Sequence, residues 1–208
     1  MNSDKFTEIS KAKYLYNIAP IDNLKSIIKY GILSKNKVKN LLPFTDISNI
    51  DVQNRRDNVI LPNGKMLHDY ANLYFNPRNA MLFYELNNKA ALCMQDSLCI
   101  LRIDTQVLNF QNVFISDRNA AVGGAKFMKA DEINSLDFRK IYSESWNDED
   151  PLKKMRLKAL MMAEILVYNC IETCYIKEIL VANERTLQKV RQLNLPIPVK
   201  IEKYLFFE

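Results

Sequence analysis

Glycine occupies only four of the 208 positions, 31, 64, 123 and 124. With that supply neither a G-x-G-x-x-G dinucleotide turn nor a G-x-x-x-x-G-K phosphate loop can be written anywhere in the chain. The familiar glycine-dependent ways of laying backbone against a pyrophosphate are therefore closed, and a nucleotide must be held by side chains and by a cleft of another design. A second scarcity narrows the chemistry. The single histidine, His68, removes two-histidine acid–base pairs and His-rich metal sites, and any Ser-His-Asp triad would have to use it.

The remaining composition is that of an ordinary globular domain, 48% hydrophobic and 25% charged, so disordered, collagenous and coiled-coil readings fall away. Two hundred and eight residues suffice for one domain, 1–208, with a substantial apolar core. Cys93, Cys99, Cys170 and Cys174 have no C-x-x-C spacing and sit in apolar runs, as reduced core thiols do. The opening Met-Asn-Ser-Asp-Lys-Phe lacks an apolar h-region, and no stretch reaches the ~18 apolar residues of a spanning helix. The expectation is a cytoplasmic protein, neither secreted nor embedded in a membrane. A formal net charge of +5 has the right sign for an anionic partner but does not identify one.

Along the chain, residues 13–18 alternate with aromatics and read as a strand that Pro20 ends. Asp22 stands where a helix N-cap belongs, Leu24, Ile27 and Ile28 form a helical stripe, and Gly31 falls where a left-handed C-cap is wanted. From 33 to about 67 the periodicity fades into a long irregular stretch that carries Arg55 and Arg56. Strands are expected at 70–75, 97–103, 164–168, 176–181 and 199–207, with helices at 79–86, from Pro151 to the residues before Glu164, and at 184–193. Residues 109–124 are polar, contain Gly123-Gly124, and read as an exposed loop of the kind that often touches substrate. The class is α+β.

Glu164 is the most unusual placement, a carboxylate between Met161-Met162-Ala163 and Ile165-Leu166-Val167. A charge there is costly unless it is paired or functional. It is a catalytic carboxylate, one half of a buried salt bridge, or an edge position facing water. Arg55-Arg56 either clamps a phosphate, since guanidinium forks match phosphate oxygens in pairs, or lies solvated on the surface. His68 beside Asp69 reads as a structural hydrogen-bonding pair or as a catalytic one. Lys25, Lys29, Lys35, Lys37 and Lys39 suit a nucleic-acid backbone or simply form a wetted face.

Taken in order, Leu15-Tyr-Asn-Ile-Ala-Pro-Ile-Asp-Asn-Leu24, Gln53-Asn-Arg-Arg56, Leu67-His-Asp-Tyr70, Tyr74-Phe-Asn-Pro-Arg78 with Met81-Leu82, Val113-Phe-Ile-Ser-Asp117 and Ala163-Glu-Ile-Leu-Val167 resemble DarT. That family comprises toxins that ADP-ribosylate bases of single-stranded DNA and are paired with the DarG macrodomain antitoxin. The resemblance implies an ADP-ribosyltransferase fold, a split β-sheet core with flanking helices and NAD in the cleft between the two small sheets. It implies that Glu164 and Arg56, rather than Arg55, are the catalytic pair. NAD would then meet Tyr16, Asn17, Ala19, Arg56, Tyr70 and Tyr74. The nicotinamide bond would break through an oxocarbenium-like state, with Glu164 at the ribose helping to take a proton from the accepting base and Arg56 steadying the base or the pyrophosphate.

The loop at 112–124 matches the family's substrate-recognition loop, so the DNA would meet Arg118 and Asn119, with Arg78 and His68 as further substrate contacts. Asn17 stands where DarT proteins commonly carry histidine, and Arg-Asn-Ala-Met-Leu at 78–82 replaces Arg-Ser-Pro-Met-Leu. The implied protein is a monomeric toxin with NAD as co-substrate and no metal, acting on thymine first and guanine second. The rival readings are the same chemistry on RNA or protein, a non-catalytic nucleic-acid-binding module, and a metal-dependent nuclease.

Overall fold

A computed structural model of the chain describes residues 1–41, 43–47, 50–87 and 96–208. Its strands are β1 (Tyr14–Pro20), β2 (Ile32–Leu33), β3 (Tyr70–Tyr74), β4 (Leu98–Asp104), β5 (Val113–Ser116), β6 (Phe127–Lys129), β7 (Glu164–Tyr168), β8 (Cys170–Ile171), β9 (Ile176–Val181) and β10 (Val199–Ile201). The helices are α1 (Asn2–Ser10), α2 (Leu24–Tyr30), α3 (Lys35–Lys39), α4 (Ile50–Arg56), α5 (Ala80–Asn87), α6 (Phe138–Ile141), α7 (Pro151–Leu160) and α8 (Glu184–Arg191). The class is α+β, as expected.

Eight strands form one sheet in the order β10-β9-β4-β1-β3-β7-β5-β6, and β2 pairs with β8 apart from it. The sheet is nearly two. β1 follows β4 from Tyr14 opposite Asp104 to Pro20 opposite Leu98, and β3 follows β7 from Tyr70 opposite Tyr168 to Tyr74 opposite Glu164. Between those halves the ladder holds at a single pair, Tyr16 opposite Tyr74. Beyond it the strands part, and one side-chain bond, from Asn17 Nδ2 to the carbonyl of Asn72 at 3.1 Å, spans the gap. This is the split that the resemblance implied. The main apolar core covers both halves, with Leu15 and Leu101 on one side and Leu73, Ile115 and Ile165 on the other, so burial keeps the halves together where hydrogen bonds do not.

Several local readings need correction. Asp22 lies in a 3-10 turn (Ile21–Asn23) and does not cap α2, whose N-cap is Asn23 with no side-chain cap bond. Asn23 is instead bonded to Thr45 through both its amide atoms. Gly31 has φ 81° and ψ −178°, outside the left-handed cap region, and a Cβ there would meet the carbonyl oxygen of Ile171 at 2.3 Å. Gly31 is the C-cap of α2, its N–H donating to the carbonyl of Ile27 at 2.8 Å, and the close approach of two backbones is a further reason for glycine there. The stretch 33–67 holds the short helices α3 and α4, and Arg56 ends α4. Within 109–124, Val113–Ser116 is a fully buried strand, leaving a shorter connection from 117 to 126. The strand expected over 199–207 stops at Ile201, and a 3-10 turn (Lys203–Phe206) follows.

α1 was not read from the sequence. Its Phe6 completes an aromatic cluster with Phe75 and Phe138, with centroids 5.4–5.6 Å apart. Elsewhere the capping residues behave as their chemistry dictates. Asn79 accepts from the amides of Met81 and Leu82 to start α5, and Asp150 accepts from Leu152 to start α7 with Pro151 next in line. Cys99 is a buried free thiol, Cys170 is half-buried and Cys174 is exposed, so Cys174 is not a core thiol; Cys93 lies outside the described residues. Among the described residues no helix is long and apolar enough to cross a membrane.

Candidate active site

The parting of the sheet opens a cavity of about 930 Å³. One lip is the end of β1, Asn17 to Pro20, and the other is the start of β3, Tyr70 to Asn72. These segments diverge because each is committed to its outer partner, β4 or β7. The volume lies in the range of small-molecule sites. Six cationic side chains line the cavity, Lys35, Arg55, Arg56, Arg118, Arg156 and Lys158, against the three acids Asp46, Asp51 and Glu85. That balance favours an anionic ligand.

Behind Arg56, which lines the cavity, stands Glu164, the first residue of β7, with no exposed surface. Arg56 Nη1 lies 3.2 Å from its Oε1 and 3.1 Å from its Oε2. The backbone N–H of Ala120, in the 117–126 connection, donates to Oε1 at 3.2 Å. Of the alternatives open for Glu164, the edge position facing water is ruled out; the carboxylate is buried and paired. Burying it is tolerable because a guanidinium and an amide satisfy it. Arg56 is itself 7% exposed and lines the cavity, while Arg55 is exposed at the rim. Glu164 therefore lies one layer behind the wall, covered by Arg56. Tyr74, opposite Glu164 in the ladder and on the same face of the sheet, is held well above the usual phenol range by burial and by the neighbouring carboxylate charge.

His68 also lines the cavity, but its partner is not Asp69. Its Nδ1 sits 2.8 Å from Asp57 Oδ1 and its Nε2 3.0 Å from Gln53 Oε1. Asp69 is occupied elsewhere, accepting from Asn36 and from the amide of Met66. Gln53 belongs to α4 and Asp57 directly follows it, so His68 grips the helix that delivers Arg56. Lys35 donates to the same Gln53 oxygen at 2.7 Å, which turns one member of the lysine run inward.

Asn17, Ala19, Tyr70, Tyr74, Arg118 and Asn119 all lie on the cavity wall. Tyr70 is fixed by Asn63, which donates to its hydroxyl at 2.8 Å. Arg118 is bound to Asp117 through two nitrogens, at 3.1 and 2.9 Å. Two residues stand apart. Tyr16 faces Arg102 across the ladder and packs against the second apolar cluster. Arg78 lies with its guanidinium 4.6 Å from the ring centroids of both Tyr204 and Phe207 and donates to the carbonyl of Glu144. Neither is part of the wall.

Two features of the wall were missed in the sequence. α7 was read as an apolar stripe, yet Leu152 and Met155 are 60% and 62% exposed, and the helix presents Arg156 and Lys158 to the mouth of the cavity. Its Lys-Lys-Met-Arg-Leu-Lys run was the available signal. Glu85, on α5, was overlooked because its helix was read only for Met81, Leu82 and Leu86. Among the described residues no group of three or more His, Cys, Asp or Glu side chains is placed to hold a metal ion.

Known proteins resemble this chain in sequence and in fold. A family model described as "ssDNA thymidine ADP-ribosyltransferase, DarT" matches residues 16–207. A DNA ADP-ribosyl transferase–DNA ADP-ribosyl glycohydrolase fusion protein of Thermosipho africanus is 30% identical over 200 residues, covering 93% of this chain and 49% of the fusion protein. The chain thus spans about half the length of that relative. The structure of Thermus sp. 2.9 DarT in complex with ADP-ribosylated single-stranded DNA superposes with a TM-score of 0.77 at 28% identity, over 94% of this chain and 96% of that one. The same Thermus protein in complex with NAD+ gives 0.73 at 26% identity, over 93% and 96%.

Proposed function

The chain belongs to the DarT family, and from that premise we propose that it transfers ADP-ribose from NAD to a thymine base of single-stranded DNA. The observation that carries the reading is the buried Arg56–Glu164 pair, with Arg56 lining a cavity opened by a split sheet. The structures of the Thermus protein in complex with NAD+ and with ADP-ribosylated single-stranded DNA support the two substrates.

The residues present fit a dinucleotide. The cations on the wall suit a pyrophosphate, and the cavity needs no glycine loop because two diverging strands already provide the space. NAD supplies the chemistry through its nicotinamide–ribose bond, which yields as positive charge develops on the sugar. The chain contributes placement and charge. Glu164, once uncovered, stabilises that positive charge and accepts the proton that the attacking ring nitrogen of the base releases. The new bond joins that nitrogen to the ribose carbon, and nicotinamide departs as the old bond breaks.

Because Arg56 covers Glu164 completely, substrate entry has to exchange their contact. Arg56 turns toward the pyrophosphate or the anionic base, and the 117–126 connection, which holds Oε1 through Ala120, meets the DNA through Arg118 and Asn119. Tyr16 and Arg78 take supporting places away from the substrates. Arg156 and Lys158 at the cavity mouth are suited to phosphates of the strand that carries the acceptor base.

On this reading residues 1–208 act as one transferase domain, in the cytoplasm and as a monomer. The activity is toxic, and a DarG-type macrodomain antitoxin reverses it; the glycohydrolase half of the Thermosipho fusion protein supports such a partner. The test is incubation with labelled NAD and with DNA, RNA and cell lysate in competition. Label entering thymine-containing DNA supports the proposal. Unlabelled DNA under varied NAD and salt refutes it.

A further inference from the structure

Glu85 is one of the carboxylates on the cavity wall, with Asp46 and Asp51, and nothing in the transfer chemistry uses it. It lies on α5 one turn after Met81, and only 5% of its surface is exposed. The helix around it is apolar: Met81, Leu82 and Leu86 on α5 belong to one apolar cluster with Met162, and Met81, Tyr84 and Met162 line the same cavity as Glu85. Among the described residues it has neither an ion pair nor a side-chain hydrogen bond, unlike Glu164. Arg156 and Lys158 share the cavity but do not pair with it. Burial raises the pKa of its carboxyl above the usual carboxylate range.

Its carboxyl oxygens open on the cavity, whereas Leu82 and Leu86 on the same helix pack into the apolar cluster; a ligand that enters beside the carboxyl strips its water, at a cost in binding unless the ligand donates to it. The position asks for a ligand that brings its own N–H donor. Phosphate is excluded at this spot, because an anion would be repelled while cations stand ready elsewhere on the wall. The exocyclic amines of adenine, cytosine and guanine are donors of this kind at the edge of a flat ring, and Met81, Tyr84 and Met162 on the same cavity wall offer apolar surface to such a ring.

We propose that Glu85 is a specificity-determining residue that accepts a hydrogen bond from the exocyclic amine of a nucleobase bound in this cavity. The inference rests on the reading that NAD and DNA occupy the cavity. The amine has two sources, the adenine of the dinucleotide or a base beside the acceptor thymine. A site built to bond an amine rejects an analogue that lacks it far more strongly than a purely apolar pocket does.

The test compares wild type, Glu85→Gln and Glu85→Leu. In the first arm calorimetry measures the affinity of NAD and of nicotinamide hypoxanthine dinucleotide, whose purine carries a carbonyl in place of the amine. In the second arm the rate of DNA modification is measured on a thymine flanked by cytosine and on one flanked by thymine, which has no exocyclic amine. Wild type is expected to prefer the amine-bearing ligand by about tenfold or more in one arm. Glu85→Leu abolishes that preference, and Glu85→Gln, which keeps a carbonyl acceptor of the same shape, retains most of it. The arm that responds names the source. Equal ratios for wild type and Glu85→Leu in both arms overturn the inference even when NAD binds and DNA is modified, whereas an absence of NAD binding by wild type overturns the functional reading together with it. Circular dichroism and thermal melting check that each variant folds.

Discussion

Replacing Arg56 with methionine leaves the carboxylate of Glu164 with only the Ala120 amide, in a place where its side chain has 0% exposure and Arg56 had 8%. Removing one partner of a buried ion pair costs about 3–5 kcal/mol, because the other charge is stranded without water. For a chain of this size each kcal/mol shifts the melting temperature by about 2–4 °C, so Arg56→Met is expected to melt about 6–20 °C below wild type. Glu164→Gln costs less. Its amide oxygen can still accept from Ala120 and Arg56, and Arg56, which borders the cavity, can turn outward and rehydrate. The double variant Arg56→Met/Glu164→Leu removes both charges and recovers most of the loss, as apolar replacement of buried pairs commonly does. Urea denaturation of wild type, Arg56→Met, Glu164→Leu and their double variant closes the cycle that gives the coupling free energy. Additivity within about 0.5 kcal/mol, or an Arg56→Met variant as stable as wild type, would refute the claim that these two groups neutralise one another in the interior.

Other parts of the account are open to simpler tests. Gly31→Ala must push a Cβ against the Ile171 carbonyl at a φ of 81° and is expected to destabilise by at least about 1–3 kcal/mol; a shift in urea midpoint worth under about 0.5 kcal/mol contradicts the close-approach argument. Burial, helped by Lys35 and Arg56 and opposed by Asp57, holds the His68 imidazole below its ordinary value of 6.5. The unfolded chain therefore binds a proton more readily. The stability this contributes is complete above pH 6.5 and is lost as pH falls from there through the lowered folded value. Melting temperatures followed from about pH 8 to about two units below the ordinary imidazole value should show that decline in wild type and a flatter profile in His68→Gln; parallel profiles contradict it. Charge reversal at Arg156 or Lys158 is expected to weaken single-stranded DNA binding and to lower the slope of log affinity against log salt by about 0.7 per lost contact. An unchanged slope removes α7 from the DNA path.

Residues with strong local chemistry were legible in the sequence. Pro20, Asn79, Pro151 and the aromatic alternation at 14–18 set element boundaries through short-range effects, and the structure keeps them. Glu164 announced itself because a charge inside an apolar run must have a partner, and its link to Arg56, 108 residues away, followed only from the family resemblance. What stayed hidden depends on distant packing. The strand Val113–Ser116 is hidden in the sequence because its polar neighbours dominate the window, and pairing with β7 and β6 fixes it. α1 carries little periodicity, and the aromatic contacts of Phe6 hold it in place. His68 turned to Asp57 instead of its neighbour Asp69 because the 3-10 turn (Leu67–Asp69) points the two side chains to different partners.

The central claim is that Glu164, beneath Arg56 in the split of the sheet, makes this chain transfer ADP-ribose to a DNA base. Mass spectrometry of a thymine-containing oligonucleotide, after incubation with NAD and either wild type or folded Glu164→Gln, tests it most directly. One added ADP-ribosyl group per modified strand, mapped to thymine with wild type and absent with the variant, is the predicted result. An unmodified oligonucleotide with wild type, or equal modification by both proteins, would contradict it.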